Sequence, residues 1–167
     1  MCKPHAIHKL ILLTLCILAF ACAPTPAPVI TVSPTTTGTD SELEAAIEQA
    51  RDTLDDFIGK IATPHADRTF VAIKVRFRPP DESPQDIWVD EVTYSNGVLR
   101  GSIGDDIPSL KFEAGEKITI DEEDIVDWMI VEDGKLVGGY TIRLAVQRMS
   151  TEELERFLET LDYSIED

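Results

Sequence analysis

Thr69-Phe70-Val71-Ala72-Ile73-Lys74-Val75-Arg76-Phe77-Arg78 decides the fold class. Val71, Ile73, Val75 and Phe77 point one way and Lys74, Arg76 and Arg78 the other, the two-residue period of a strand with one apolar face. Pro79-Pro80 ends it, because proline gives a ladder no N–H. Toward the C-terminus, residues 86–95 read as a second strand, and Asn96-Gly97 is the strongest short hairpin signal in the chain. Residues 98–103 return as a third strand and residues 117–120 as a short fourth. Residues 125–132 form another, closed by Asp133-Gly134, with Leu136-Val137 returning. Toward the N-terminus, Leu43, Ala46, Ile47, Ala50, Leu54, Phe57, Ile58 and Ile61 recur at helical spacing, and Ser41 with Glu44 opens them as a capping box. This predicts one amphipathic helix over residues 42–61.

After Gly138-Gly139, the apolar residues Ile142, Ala145, Val146 and Met149 fit a helix better than a strand. Ser150 with Glu153 then caps a last helix carrying Leu154, Phe157, Leu158 and Leu161. Helix first, antiparallel strands next and helices last is the order of an α+β fold. The expected architecture is an N-terminal amphipathic helix, an antiparallel sheet of about five strands and one or two C-terminal helices, all within residues 41–167.

Ahead of that domain, an apolar run from Leu10 to Ala21 follows Lys3 and Lys9 and closes as Ala19-Phe20-Ala21-Cys22. The run is too short for the roughly 20 residues of a spanning helix. Its basic flank and small exit residues are signal-peptide features. Residues 1–21 are therefore expected to be a lipoprotein signal peptide, with Cys22 acylated as the first mature residue. Phe20 is large for its place before the cleavage site. Several acyl chains on one cysteine hold a protein firmly on a bilayer, since each buried CH₂ contributes about 0.8 kcal/mol. Residues 22–40 carry four prolines, many threonines and almost no charge, the composition of a disordered tether. At about 3.1 Å per residue it reaches up to roughly 55 Å. The expected location is the cell envelope, lipid-anchored and facing outward from the cytoplasmic membrane or in the periplasm.

Composition excludes several classes. The chain has net charge −16, and loss of residues 1–21 removes two lysines and no acid, leaving −18. Nucleic-acid binders carry the opposite footprint. Gly101-Ser102-Ile103-Gly104 has the spacing of a nucleic-acid loop, but it lies on a hairpin strand of an acidic chain. Cys2 and Cys16 fall in the signal and Cys22 would be acylated, so no internal disulfide, thiolate zinc site or cysteine nucleophile is expected. His65 is the only histidine past residue 21, which rules out His-rich metal sites. It reads as a solvated loop residue, and no G-x-S-x-G turn accompanies it. The run Asp121-Glu122-Glu123-Asp124 has Val126 where a calcium loop needs glycine, so it reads as a solvated turn, as does Asp105-Asp106. No metal, no cofactor and no catalytic residue is assigned.

One constellation remains. The Asp133-Gly134 turn brings Asp127-Trp128 close to Gly138-Gly139-Tyr140-Thr141 and Arg143. The glycines allow close approach or positive φ, and a helix start there would present free N–H groups that favour anions. Asp127, Trp128, Gly138, Gly139, Tyr140, Thr141 and Arg143 are the candidate binding residues for a small anionic ligand or a peptide terminus. The bland alternative is a structural corner, with Trp128 in the core, Asp127 paired with Arg143 and Thr141 as a helix cap.

Several of these segments resemble a known family. Phe70-Val71-Ala72-Ile73-Lys74-Val75-Arg76-Phe77, Ile87-Trp88-Val89, Gly101-Ser102-Ile103, Pro108, Gly115-Glu116-Lys117-Ile118, Ile125-Val126-Asp127-Trp128-Met129 and Gly138-Gly139-Tyr140-Thr141-Ile142-Arg143 are together similar to the bacterial domain-of-unknown-function family 2314. Asp-Trp-Met followed by Gly-Gly-Tyr-Thr-x-Arg is the most specific part. The family often shows Glu-His before the second-strand Trp, where this chain has Gln85-Asp86. The resemblance implies a small α+β domain and carries no assigned activity. The expectation is a membrane-tethered, non-enzymatic binding or adaptor domain whose partners are the bilayer, through Cys22, and an envelope protein or small anionic ligand. The alternatives are an envelope hydrolase using Asp127, Thr141 and Arg143, and an acidic inhibitor or immunity-type protein.

Overall fold

The computed structural model describes residues 41–166; the signal segment and tether expected over residues 1–40 lie outside the described residues. Two helices, α1 (Ser41–Asp52) and α2 (Leu54–Ala62), precede six strands, β1 (Arg68–Phe77), β2 (Gln85–Ser95), β3 (Val98–Ile103), β4 (Lys117–Ile120), β5 (Ile125–Glu132) and β6 (Lys135–Gly138). Two more helices follow, α3 (Tyr140–Arg148) and α4 (Thr151–Leu158). The strands form one antiparallel sheet in the order β4-β3-β2-β1-β5-β6. The α+β class is as expected. The sheet has six strands rather than about five, because Leu136-Val137 belongs to a four-residue strand pairing with β5 from Glu132↔Lys135 to Met129↔Gly138.

The single helix expected over residues 42–61 is two helices, broken at Thr53. The cause is local. The Thr53 hydroxyl donates to the Gln49 carbonyl at 2.8 Å, and such back-bonding bends helices. The same oxygen accepts from the Trp128 indole N–H at 3.2 Å and shares a hydrogen bond with the Tyr140 hydroxyl at 2.9 Å. The break therefore locks the helix pair onto β5 and α3. Arg51 adds a second tie, donating to the Ile125 carbonyl at 2.8 Å.

Both two-residue hairpins take the positive-φ geometry that matches strand twist. Asn96 and Gly97 stand at φ 53° and 77°, and Asp133 and Gly134 at 54° and 69°. The capping box Ser150–Glu153 starts α4.

One sheet face packs on the first two helices. Ala50, Leu54 and Phe57 meet Ile73, Val75, Val89, Leu99, Ile125, Trp128 and Ile130 there. On the other face a smaller cluster, Ala72, Met129, Val131 and Leu136, is covered by Ile142 of α3 and by Tyr163 and Ile165 of the C-terminal segment. β5 is therefore buried on both faces from Ile125 through Val131. That accounts for its near-continuous apolar sequence and makes Asp127, the one charge within that buried stretch, conspicuous.

Candidate functional site

Asp127 is fully buried. One carboxylate oxygen accepts from the Trp128 N–H at 2.8 Å and the Tyr140 N–H at 3.1 Å. The other accepts from the Thr141 N–H at 2.8 Å and the Thr141 hydroxyl at 2.6 Å. Tyr140 and Thr141 are the first two residues of α3, so the N–H groups at this helix start are bonded to an anion the chain supplies itself. Gly139, at φ 65°, is the N-cap; Thr141 lies inside the helix and is not the cap. The anion-binding start suggested by the sequence exists, and Asp127 fills it.

The cation beside Asp127 is not the expected one. In the β1–β5 register, Lys74 stands opposite Asp127. The Lys74 ammonium donates to the Thr141 hydroxyl oxygen at 3.1 Å, and the hydroxyl in turn donates a hydrogen bond to Asp127. Burial pushes the Lys74 ammonium below its ordinary range, opposed by the charges of Asp127 and Asp86. Burial pushes the Asp127 carboxyl up, opposed by its bonds to Thr141, the Lys74 charge and the Trp128 N–H. Each charge thus opposes the effect of burial on the other, with the Thr141 bonds the larger support for Asp127.

Arg143 turns away from Asp127. Its guanidinium donates to the carbonyls of Gly138 at 2.9 Å and Leu136 at 2.8 Å, and to that of Glu166. It fastens β6 and the C-terminal segment to α3. The Asp127–Arg143 pair that proximity suggested is therefore absent. Long side chains on a helix point back toward its N-terminus, and from the fourth position of α3 that direction leads to β6.

Trp128 lies on the opposite side of β5, 2% exposed. Its indole N–H donates to the Ala50 carbonyl at 2.9 Å, and its ring packs against Phe57 and edge-on against Tyr140. Gly138, at φ 73°, lies against that ring: a Cβ there would meet the indole carbons at 2.5 Å. Of the seven residues singled out, the structure brings all to one corner through hydrogen bonds, and Gly138 also through this contact. It leaves none of their charged groups unbonded. The two clefts described, of about 450 Å³ and 330 Å³, open beside His65 and beside Pro79-Pro80, not at Trp128 or Tyr140.

Two residues the sequence reading did not single out complete the site. The Lys74 ammonium sits 5.1 Å from the ring centre of Trp88, which stands opposite it on β2. Both are partly exposed on the sheet face turned away from α1 and α2. Arg76 and Asp86 form a two-bond pair in the next row, at 2.7 and 2.9 Å. On the other side, Asp90 pairs in register with Ser102. Burial, then the charges of Asp105 and Glu91, push its carboxyl up to about 6. The available signal was the polar alternation of β1; which strands flank β1 could not be read from it.

The family described as "Uncharacterized protein conserved in bacteria (DUF2314)" matches residues 40–163. The chain belongs to this family. Among curated relatives, "Uncharacterized protein YegJ" of Escherichia coli K12 is 39% identical over 99 residues, covering 58% of this chain and 62% of that protein. "Putative ankyrin repeat protein NMB1133/NMB1171" of Neisseria meningitidis serogroup B is 30% identical over 88 residues, covering 50% of this chain and 35% of that protein. No solved structure matches. The DUF2314 match spans the sheet, the Asp127 corner and α4, so the corner described above lies within the family domain.

Proposed function

We propose that this DUF2314 protein is a lipid-anchored, non-enzymatic binding domain of the bacterial cell envelope. In this reading the Asp127 corner is its frame, and the sheet face bearing Lys74 and Trp88 engages an envelope protein. The observation that carries a binding role is the bonding of the corner. Asp127, Thr141 and Lys74 are joined to one another and Arg143 to main-chain carbonyls, so the residues a hydrolase would use hold the fold together. Beside them lies the partly exposed Trp88 ring with the Lys74 ammonium over it, and tryptophan is enriched at protein interfaces. The anchor rests on the 10–22 segment and its cysteine. Among the described residues no helix is long and apolar enough to cross a membrane.

The anchor is tested by labelling cells with a fatty-acid analogue. Label and membrane fractionation are both lost in Cys22→Ser; label kept on the variant defeats the anchor. The binding face is tested with a photo-crosslinking residue at position 88, compared with position 155 on α4. A discrete adduct from 88 alone is expected; identical adducts from both positions, or none from 88, defeat it. One observation favours the hydrolase as a second reading: the Lys74 amine, its pKa lowered by burial, touches the Thr141 hydroxyl. Ester or peptide turnover by the purified protein that disappears in Thr141→Val, at a temperature where circular dichroism shows the variant still folded, would establish it instead.

A further inference from the structure

His65, Asp67 and Asp133 come together at the opposite end of β5 from the corner. His65 and Asp67 lie in the connection between α2 and β1, and Asp133 in the β5–β6 turn, 66 residues further along the chain. Each offers one donor atom, and the three atoms lie within 4.8 Å of one another. The backbone sets this meeting: the Asp133 N–H donates to the Asp67 carbonyl at 3.1 Å, and the Arg68 N–H to the His65 carbonyl at 3.4 Å. Arg68 also bonds Glu132 through two nitrogens, at 3.1 and 2.8 Å, neutralising that neighbour.

The distances suit an ion better than direct contacts. His65 Nε2 is 4.0 Å from the Asp133 carboxylate and 3.6 Å from Glu132, both too long for a hydrogen bond. Zinc binds imidazole nitrogen and carboxylate oxygen at about 2.0–2.2 Å, so two of its ligand atoms stand about 3.4 Å apart at a tetrahedral angle and about 4.2 Å when opposed. From separations of at most 4.8 Å the three donors need to draw in by up to about 0.8 Å each to reach about 3.4 Å, which exposed side chains do by small rotations. One imidazole with two carboxylates is a transition-metal set; calcium and magnesium prefer oxygen alone. The 450 Å³ cleft lined by His65 and Glu132 adjoins it and gives room for water or a ligand on the ion.

We infer that His65, Asp67 and Asp133 bind one divalent transition-metal ion, of the zinc and nickel class, with coordination positions left open to solvent. The site is separate from the Lys74–Asp127 corner and independent of the function proposed for it. The sequence excludes a His-rich site and leaves room for this one, whose third donor comes from a distant turn.

The test titrates zinc chloride into the metal-free protein by calorimetry, in a non-chelating buffer. One zinc per chain is expected, with affinity falling at least tenfold in His65→Ala and in Asp133→Asn. Asp105→Asn, a control on another acidic loop, should bind as the parent does. All three variants alter exposed residues, and their metal-free melts should match the parent. Unchanged zinc affinity in His65→Ala would mean that bulk acidity binds the ion, and the inference fails. It fails equally if the parent binds no zinc, or if calcium at equal concentration displaces it.

Discussion

Replacing Asp127 by asparagine keeps the size of the side chain and removes its charge. The structure sets the cost. The carboxylate accepts four hydrogen bonds, two at each oxygen. Asparagine keeps one accepting oxygen; its amide nitrogen would face either the Thr141 pair or the Trp128 and Tyr140 N–H groups, donor against donor. Hydrogen bonds to a charged group contribute about 1.5–3 kcal/mol each. Asparagine leaves two of the four donors without an acceptor, about 3–6 kcal/mol, and also removes the charge facing the partly exposed Lys74 across the Thr141 hydroxyl. Both effects follow from the same lost charge and do not add. We expect Asp127→Asn to cost about 3–6 kcal/mol, much of the roughly 5–15 kcal/mol that holds a domain folded. At a urea slope of about 2 kcal/mol/M, the midpoint should fall by roughly 1.5–3 M. Lys74→Met combined with Asp127→Asn should cost less than the two single changes together, because neither leaves the other's charge stranded. The assay is urea unfolding of the unacylated Cys22→Ser chain and these variants. An Asp127→Asn midpoint within about 0.5 M of the parent would refute the account of the corner as a bonded frame.

Gly138→Ala puts a Cβ 2.5 Å from the Trp128 ring at φ 73° and should cost about 2–4 kcal/mol; Gly97→Ala, with open space around it, should cost about 1–2 from backbone strain alone. Thermal melts compare them, and equal losses would remove the ring contact as the cause. Arg143→Ala should free the C-terminal segment, so that hydrogen exchange speeds at the Leu136 and Ser164 amides, which bond Ser164 and Gly134, while the Trp128 amide stays protected. Asp90, with its carboxyl pushed up to about 6, binds more protons folded than unfolded between about pH 4 and 6, so its contribution to stability falls as pH rises through that window. Asp90→Asn should therefore match the parent near pH 4 and exceed it at pH 7, by on the order of 1 kcal/mol after screening of a partly exposed group; urea midpoints at the two pH values check the sign.

What could be read from the sequence was what short-range chemistry determines. The alternation through Lys74, Arg76 and Arg78, the Asn96-Gly97 turn and the Ser150–Glu153 box each act within a few residues, and the antiparallel α+β order followed from them. The break at Thr53 was hidden because its hydroxyl also bonds Trp128 and Tyr140, groups 75 and 87 positions away. The partner of Asp127 was misjudged for the same reason. Arg143 is nearer in sequence, but the register of β1 against β5 places Lys74 beside it, and register is a property of the assembled sheet.

That register also explains why a charge sits in the most buried strand. An apolar residue at position 127 would leave the Tyr140 and Thr141 N–H groups of α3 without an acceptor in a place water does not reach. A carboxylate supplies both acceptors, and its own charge then requires the lysine at position 74. Holding Lys74 fixes its ammonium over Trp88, a point where this internal chain of bonds comes to a partly exposed surface. Substitutions at Asp127 would therefore reach the surface through Lys74. A Thr141→Ser variant, which keeps the hydroxyl bridge, should leave both stability and crosslinking from position 88 close to the parent. Thr141→Val, which breaks the bridge but keeps the shape, should lower both together. Loss of crosslinking in Thr141→Ser with stability intact would mean that the threonine acts on a ligand directly and that the frame and the binding face are not coupled.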